Sequence, residues 1–94
     1  MGGKNAAVVL RDADLDLAAE QVLLGAFRST GQKCTATSRL IVDEAVADDF
    51  LDRLRARLDD WVTGDPVDDG VHMGPLVNAA AAESVSAGVE AALA

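Results

Sequence analysis

The hydrophobic period alternates along this chain, and that alternation limits the folds open to it. Two short apolar runs, AAVVL at 6–10 and SRLIVD at 38–43, are each followed by a segment in which apolar residues recur every three or four positions. Short runs rich in β-branched residues are typical of strands, whereas the longer spacing predicts amphipathic helices. Strand, helix, strand, helix favours a parallel pair with a right-handed crossover, so the chain is predicted to be α/β.

Capping and breaking residues place the boundaries of these elements. The first helix is predicted from Asp14 to Thr30, with Asp14 or Asp16 capping its first turn and Gly31 ending it. The second helix is predicted over 44–62, followed by a loop rich in Gly and Pro over 63–75 and an alanine-rich helix from Asn78 onwards. Two parallel strands cannot cover their own edges and faces, so we expect the chain to be a piece of a larger sheet domain.

Charge and cysteine usage exclude several classes of function. Sixteen acidic residues against eight basic ones give a net charge of −8, which disfavours a nucleic-acid partner. The single cysteine cannot close an intramolecular disulfide, and no Cys and His pair has metal-ligand spacing, so no metal site is predicted. No apolar run approaches the roughly 20 residues that span a bilayer, and no signal pattern is present, so a cytoplasmic protein without a membrane partner is predicted.

The single cysteine is the candidate for chemistry. Cys34 lies between the first helix and the second strand, and loops at strand ends are where α/β proteins collect catalytic groups. A lone cysteine is more often a small buried hydrophobe, and composition alone favours that alternative. Polar neighbours and the nearby cations Lys33 and Arg39 instead favour an accessible thiolate.

The segment around the cysteine resembles a known family. The pattern Phe-x-x-x-Gly-Gln-x-Cys-x-Ala-x-Ser-Arg, at 27–39, is similar to the active-site cysteine signature of the NAD(P)-dependent aldehyde dehydrogenases. Gly-Gly-Lys-Asn at 2–5 resembles the end of that family's Glu-Leu-Gly-Gly-Lys motif. Gly-Asp-Pro at 64–66 and Met-Gly-Pro-Leu at 73–76 resemble its downstream loop, so the likeness covers nearly the whole chain.

The resemblance implies a role for each matching residue. Cys34 would attack an aldehyde to give a hemithioacetal and then a thioester, with its own backbone N–H as half of an oxyanion hole. Met1 and Gly2 match positions near the nicotinamide of NAD or NADP, although a Gly-Gly pair is more often a simple turn. The family's water-activating Glu, its oxyanion Asn and its dinucleotide-binding domain are expected outside this chain. Residues 1–94 are therefore predicted to be part of a catalytic domain, inactive alone.

Several other polar residues are expected to be solvated or to have structural roles. Lys33 either favours the thiolate or is simply solvated, and Arg39 is expected to tie its strand to neighbouring structure rather than to touch substrate. His72 is expected to be a solvated loop histidine. The aspartates of the second predicted helix are expected on its outer, solvent-facing side; they are Asp48, Asp49, Asp52, Asp59 and Asp60.

The resemblance implies a small aldehyde as the substrate. The run at 25–39 is most similar to semialdehyde-oxidising members, especially the α-ketoglutarate semialdehyde type, while succinate semialdehyde and general aldehydes remain alternatives. The complete protein is predicted to be a homo-oligomer. The alternative from a different class is a truncated, non-catalytic α/β module that acts only by association through its exposed sheet edge.

Overall fold

A computed structural model describes residues 3–94 of the chain. The predicted order of elements is confirmed. The strands are β1 (Asn5–Val9) and β2 (Thr37–Val42), and the helices are α1 (Leu15–Phe27), α2 (Ala47–Asp59) and α3 (Ala79–Leu93). The segment predicted as a loop, 63–75, contains only an isolated bridge between Thr63 and Met73.

The two strands pair in parallel, as the alternation of periods predicts. Their register runs from Ala6 opposite Arg39 to Val9 opposite Val42, with an irregularity between Asn5 and Ala6. Because parallel strands begin at the same edge of a sheet, the start of β1 lies beside the loop that leads into β2. The cysteine loop is therefore at the amino ends of the strands, whereas sites in open α/β sheets usually lie at the carboxyl ends.

The core lies between one face of the sheet and the first two helices. Val9 of β1, Ala19 of α1 and Phe50 of α2 form a buried cluster. Successive residues of a strand point to opposite faces, and the other face is open, with Val8 63% and Ile41 53% exposed. The expectation that this small sheet leaves apolar surface uncovered is confirmed.

Helix boundaries differ from the predicted ones where local backbone geometry intervenes. The Asp14 side chain caps α1 by accepting from the Leu17 N–H at 3.2 Å, so Asp14 is the cap. The helix ends at Phe27, three residues earlier than predicted, because Ser29 and Thr30 adopt positive φ angles that no right-handed helix contains. The predicted second helix is split into a 3-10 turn at Glu44–Val46 and α2. Asn78 caps α3 through the Ala81 N–H at 2.9 Å.

Ion pairs connect the two packed helices on their exposed side. Arg53 of α2 lies 2.9 Å from Asp49 and 2.8 Å from Asp16 of α1. The hydrogen bonds that the Arg53 guanidinium donates to these carboxylates, chiefly to Asp49, raise the pKa of Arg53. The five aspartates expected on the outer side of this region are all exposed, which confirms that prediction.

Over residues 3–94, none of the helices combines the length and the apolar character that crossing a bilayer requires.

Candidate active site

A four-residue turn presents the cysteine. The Ala36 N–H donates to the Lys33 carbonyl at 3.0 Å, which closes a β-turn with Cys34 at its second position. The thiol is free and Cys34 is exposed. The alternative of a buried, hydrophobic cysteine is therefore wrong for the described chain.

Asn5 holds this turn from the neighbouring strand. Its side-chain amide donates to the Cys34 carbonyl at 2.6 Å and to the Ala36 carbonyl at 3.1 Å. Three of the turn's four carbonyl groups are therefore hydrogen-bonded, namely those of Lys33, Cys34 and Ala36.

The backbone N–H of Cys34 is left without an acceptor among residues 3–94. In a trans peptide the N–H points opposite to the carbonyl of the same peptide unit. The Lys33 carbonyl points into the turn, toward Ala36, so the Cys34 N–H points out of it. Cys34 thus combines an exposed thiol with a backbone N–H that has no acceptor among residues 3–94. A donor in this position can stabilise an oxyanion that forms at the thiol.

Arg39 joins the same region from β2. Its Nε and Nη2 donate to the Lys4 carbonyl at 3.1 and 2.7 Å. This confirms the expectation that Arg39 ties its strand to neighbouring structure. Lys33 is exposed next to Cys34 in the sequence. Its two expected roles, solvation and favouring the thiolate, stay predictions.

The approach to the cysteine is a left-handed turn. Ser29, Thr30 and Gly31 have φ angles of 57°, 59° and 71°. The left-handed region costs a non-glycine residue about 1–2 kcal/mol, and such strain collects at functional sites. Gly31 has a further constraint, since a Cβ there would lie 3.0 Å from the Ala26 carbonyl oxygen.

The downstream Gly-Pro segment secures this strained turn. The Thr30 hydroxyl donates to the Gly74 carbonyl at 3.0 Å. The Gln32 side chain accepts from the Val77 N–H at 2.8 Å and donates to the Ser29 carbonyl at 3.2 Å. The three motifs that are separated in the sequence therefore meet: residues 3–5, the cysteine loop and residues 74–77.

An open cleft of about 300 Å³ borders the thiol. Gly3 and Lys4 form one side of it, and the cysteine loop forms the other. Around the loop lies a second cavity of about 430 Å³, whose lining includes the cations Arg28 and Lys33. Lys33 and Ala36 border both spaces, so the two adjoin at the cysteine turn.

Two predicted site residues, Met1 and Gly2, lie outside the described residues, so their expected place beside the nicotinamide stays a prediction. Within residues 3–94 no group of three His, Cys, Asp or Glu side chains could hold a metal ion.

His72 has a structural role that its sequence context did not indicate. It is exposed, as expected, but its ring stacks on Trp61 with the centroids 4.9 Å apart. Its Nδ1 also accepts from the Val62 N–H at 2.9 Å. The histidine therefore connects the end of α2 to the 63–75 loop instead of being merely solvated.

Asn5 and Thr30 belong to this site, although neither is among the residues predicted from the sequence. Their partners lie 29 to 45 positions away along the chain, so no local spacing points to them. A polar residue at the start of an otherwise apolar strand was the only signal for Asn5.

Comparison with known proteins agrees with this geometry. The sequence profile described as "Aldehyde dehydrogenase family" matches residues 1–94. The chain is 53% identical over 78 residues to an alpha-ketoglutaric semialdehyde dehydrogenase of Bacillus subtilis, covering 83% of this chain and 16% of that protein.

Solved structures show the same likeness. An NAD-dependent aldehyde dehydrogenase from Sinorhizobium meliloti superposes with a TM-score of 0.94 at 35% identity, over 99% of this chain and 18% of that one. A 1-pyrroline-5-carboxylate dehydrogenase from Thermus with bound NAD gives 0.89 at 38% identity, over 96% and 17%. The chain thus spans less than a fifth of these relatives. Its sequence and its fold place the chain in the aldehyde dehydrogenase family.

Proposed function

We propose that Cys34 is the nucleophile of a complete protein that oxidises an aldehyde to an acid with NAD or NADP. The observation that carries this proposal is the turn at 33–36. It exposes the one thiol of the chain, ties back the neighbouring carbonyl groups and leaves the Cys34 N–H without an acceptor among residues 3–94. Family membership supports aldehyde oxidation as the chemistry.

The first step joins substrate to the cysteine. The thiolate of Cys34 attacks the aldehyde carbon, a C–S bond forms, and the carbonyl π pair moves onto oxygen. The free Cys34 N–H donates to that oxyanion, because it points away from the turn and toward no acceptor among residues 3–94. Collapse of the oxyanion would restore the C=O bond while the carbon releases hydride to a bound NAD or NADP, and the hemithioacetal would become a thioester on Cys34.

The dinucleotide site would extend beyond the described residues, and one edge of the cleft is open to it. Gly3 borders the cleft, and no heavy atom lies within 4 Å of the place that a Cβ on Gly3 would occupy. Gly3 and Lys4 would hold this edge of the cofactor, with Met1 and Gly2 before them. When bound, NAD(P) supplies the hydride acceptor.

Release of the acid needs a base from elsewhere in the complete protein. Water must attack the thioester, and a carboxylate is the usual base for that step. None of the described residues that line the cleft carries a carboxylate. The 94-residue chain alone therefore holds the nucleophile and one oxyanion donor, and it is expected to stop before turnover.

The direct test compares the complete protein with the isolated chain. Each is incubated with NAD or NADP and a semialdehyde while reduced nicotinamide is followed. We expect steady turnover by the complete protein and none by residues 1–94. Steady turnover by the isolated chain would refute the need for parts outside it, and no reduction by the complete protein would refute the proposed function.

The substrate class is an aldehyde that also carries a carboxylate. Arg28 and Lys33 line the cavity that adjoins the thiol cleft, in a chain whose net charge is −8. Cations in such a place favour an anionic group of the substrate, and the pair can bind a carboxylate while the aldehyde reaches Cys34. The relative from Bacillus subtilis is named for an α-keto acid semialdehyde, which has this chemistry.

Replacing one of these cations tests the substrate class. In the complete protein, Arg28→Gln is expected to raise KM for an anionic semialdehyde by about tenfold or more, since a hydrogen bond to a charged group contributes about 1.5–3 kcal/mol. KM for a neutral aldehyde of similar length should stay within about twofold. Arg55→Gln, on the exposed side of α2, is the matched control and should change neither value. Equal losses for both substrates would contradict the assignment.

A second candidate function rests on the uncovered sheet face. Val8, Leu10 and Ile41 are 63%, 59% and 53% exposed, an apolar surface that favours association. A non-catalytic module would self-associate and would reduce no NAD or NADP. The turnover assay of the complete protein therefore separates the two functions.

A further inference from the structure

We infer that Asn5 is a positioning residue for Cys34: it fixes the peptide plane that follows the nucleophile and thereby the direction in which the thiol points. This inference rests on the proposed function of Cys34. It concerns a residue of β1, which lies 29 positions away in the sequence and does not itself reach the reacting atoms.

Two peptide planes flank Cys34, and a hydrogen bond holds each of them. The plane before it is held by the turn's own hydrogen bond, from the Ala36 N–H to the Lys33 carbonyl. The plane after it contains the Cys34 carbonyl. Among residues 3–94, this carbonyl accepts a hydrogen bond from the Asn5 side-chain amide at 2.6 Å. With both planes held, φ and ψ of Cys34 are set, and only χ1 remains to orient the sulfur.

A second hydrogen bond from the Asn5 side chain fixes the orientation of the turn relative to β1. The same amide group donates to the Ala36 carbonyl at 3.1 Å, so one side chain bridges two carbonyl groups of one turn. Two donors on a rigid planar group hold the turn at a set distance from β1. The register irregularity between Asn5 and Ala6 lies at this point, where the strand departs from regular pairing.

Asn5, the anchor of this turn, is itself held by the sheet. Asn5 is the first residue of β1, and the residue before it is held by Arg39 through two bonds to the Lys4 carbonyl. The sheet therefore supplies a fixed base, and the exposed turn is the part that would move if the anchor were removed. Misplacement of a nucleophile by about 1 Å costs about a hundredfold in rate, so the effect should appear in kcat rather than in KM.

The test uses an isosteric pair of variants in the complete protein. Asn5→Asp keeps the shape but replaces the donating amide by an acceptor that faces two carbonyl oxygens. We expect kcat to fall about tenfold or more with KM within about twofold, and the rate of the first turnover to fall equally. Asn5→Gln, which keeps the two-donor amide on a longer side chain, should retain more of kcat than Asn5→Asp. Asn78→Asp, a conservative change in the cap of α3, is the matched control and should leave kcat unchanged.

A readout without turnover separates this inference from the proposed function. Asn5→Asp should speed amide hydrogen exchange at Ala36, whose bond closes the turn, while the amides of α3 stay as in the parent protein. If Cys34 proves dispensable for activity, the proposed function fails while the exchange result still reports on the anchor. The inference is overturned if Asn5→Asp keeps kcat within twofold, or if kcat falls with no change in exchange at Ala36. Where the Asp variant does not fold, Asn5→Ala, which removes both donors without adding a charge, decides by the same two measurements.

Discussion

Replacing Cys34 by Ala in the complete protein is expected to abolish NAD(P)-dependent aldehyde oxidation. The side chain forms the covalent bond on which both halves of the reaction depend, so the rate should fall by at least about a thousandfold. Cys34 is exposed and lies in a turn held from β1 and from its own backbone, so its loss removes little packing. Fold and thermal stability should therefore stay close to those of the parent protein, and steady-state reduction of the dinucleotide is the measurement.

Two further variants make that result specific. Cys34→Ser keeps the size and the turn but offers a far weaker nucleophile, so it should be as inactive as Cys34→Ala. Ser84→Ala, on the exposed surface of α3, should retain full activity. An active Cys34→Ala protein would remove the cysteine from the mechanism and with it the proposed function.

Replacing Phe50 by Ala is expected to cause the largest loss of stability. Phe50 is fully buried and is the largest such side chain among the described residues. It packs against Val9 and Ala19, the points where the sheet and α1 meet α2. Truncation of a buried phenylalanine costs about 3–5 kcal/mol, a large fraction of the 5–15 kcal/mol that folded proteins possess in total.

Phe27 provides the matched control for that substitution. It is 38% exposed, and its ring is tilted at 56° to the ring of Trp61, with the centroids 6.3 Å apart. Phe27→Ala should lower the free energy of unfolding by much less than Phe50→Ala, and denaturant unfolding followed by far-ultraviolet circular dichroism measures both. Equal losses would mean that the cluster around Phe50 is not the principal core.

Most of the fold could be predicted because its signals are local. A strand of five residues or a helix of thirteen buries one face, so its apolar residues recur with a period that is visible in a short window. The Asp14 and Asn78 caps are equally local, since each side chain bonds a backbone N–H three residues ahead. The end of α1 was placed too late because Thr30, which lies in the left-handed region, is held by a segment some 45 residues away.

Four features could be predicted without coordinates: the order of elements, the parallel pairing, the family resemblance and Cys34 as the candidate nucleophile. Periodicity, capping and a contiguous motif depend on neighbouring residues, and neighbours are adjacent before the chain folds. Three features became visible only in the folded chain: Cys34 is exposed, Asn5 holds its turn, and Thr30 and Gln32 bond to the 74–77 segment. The reason is physical: a hydrogen bond needs its two groups within about 3 Å, and for partners 29 to 45 residues apart the packing of the whole chain sets that distance.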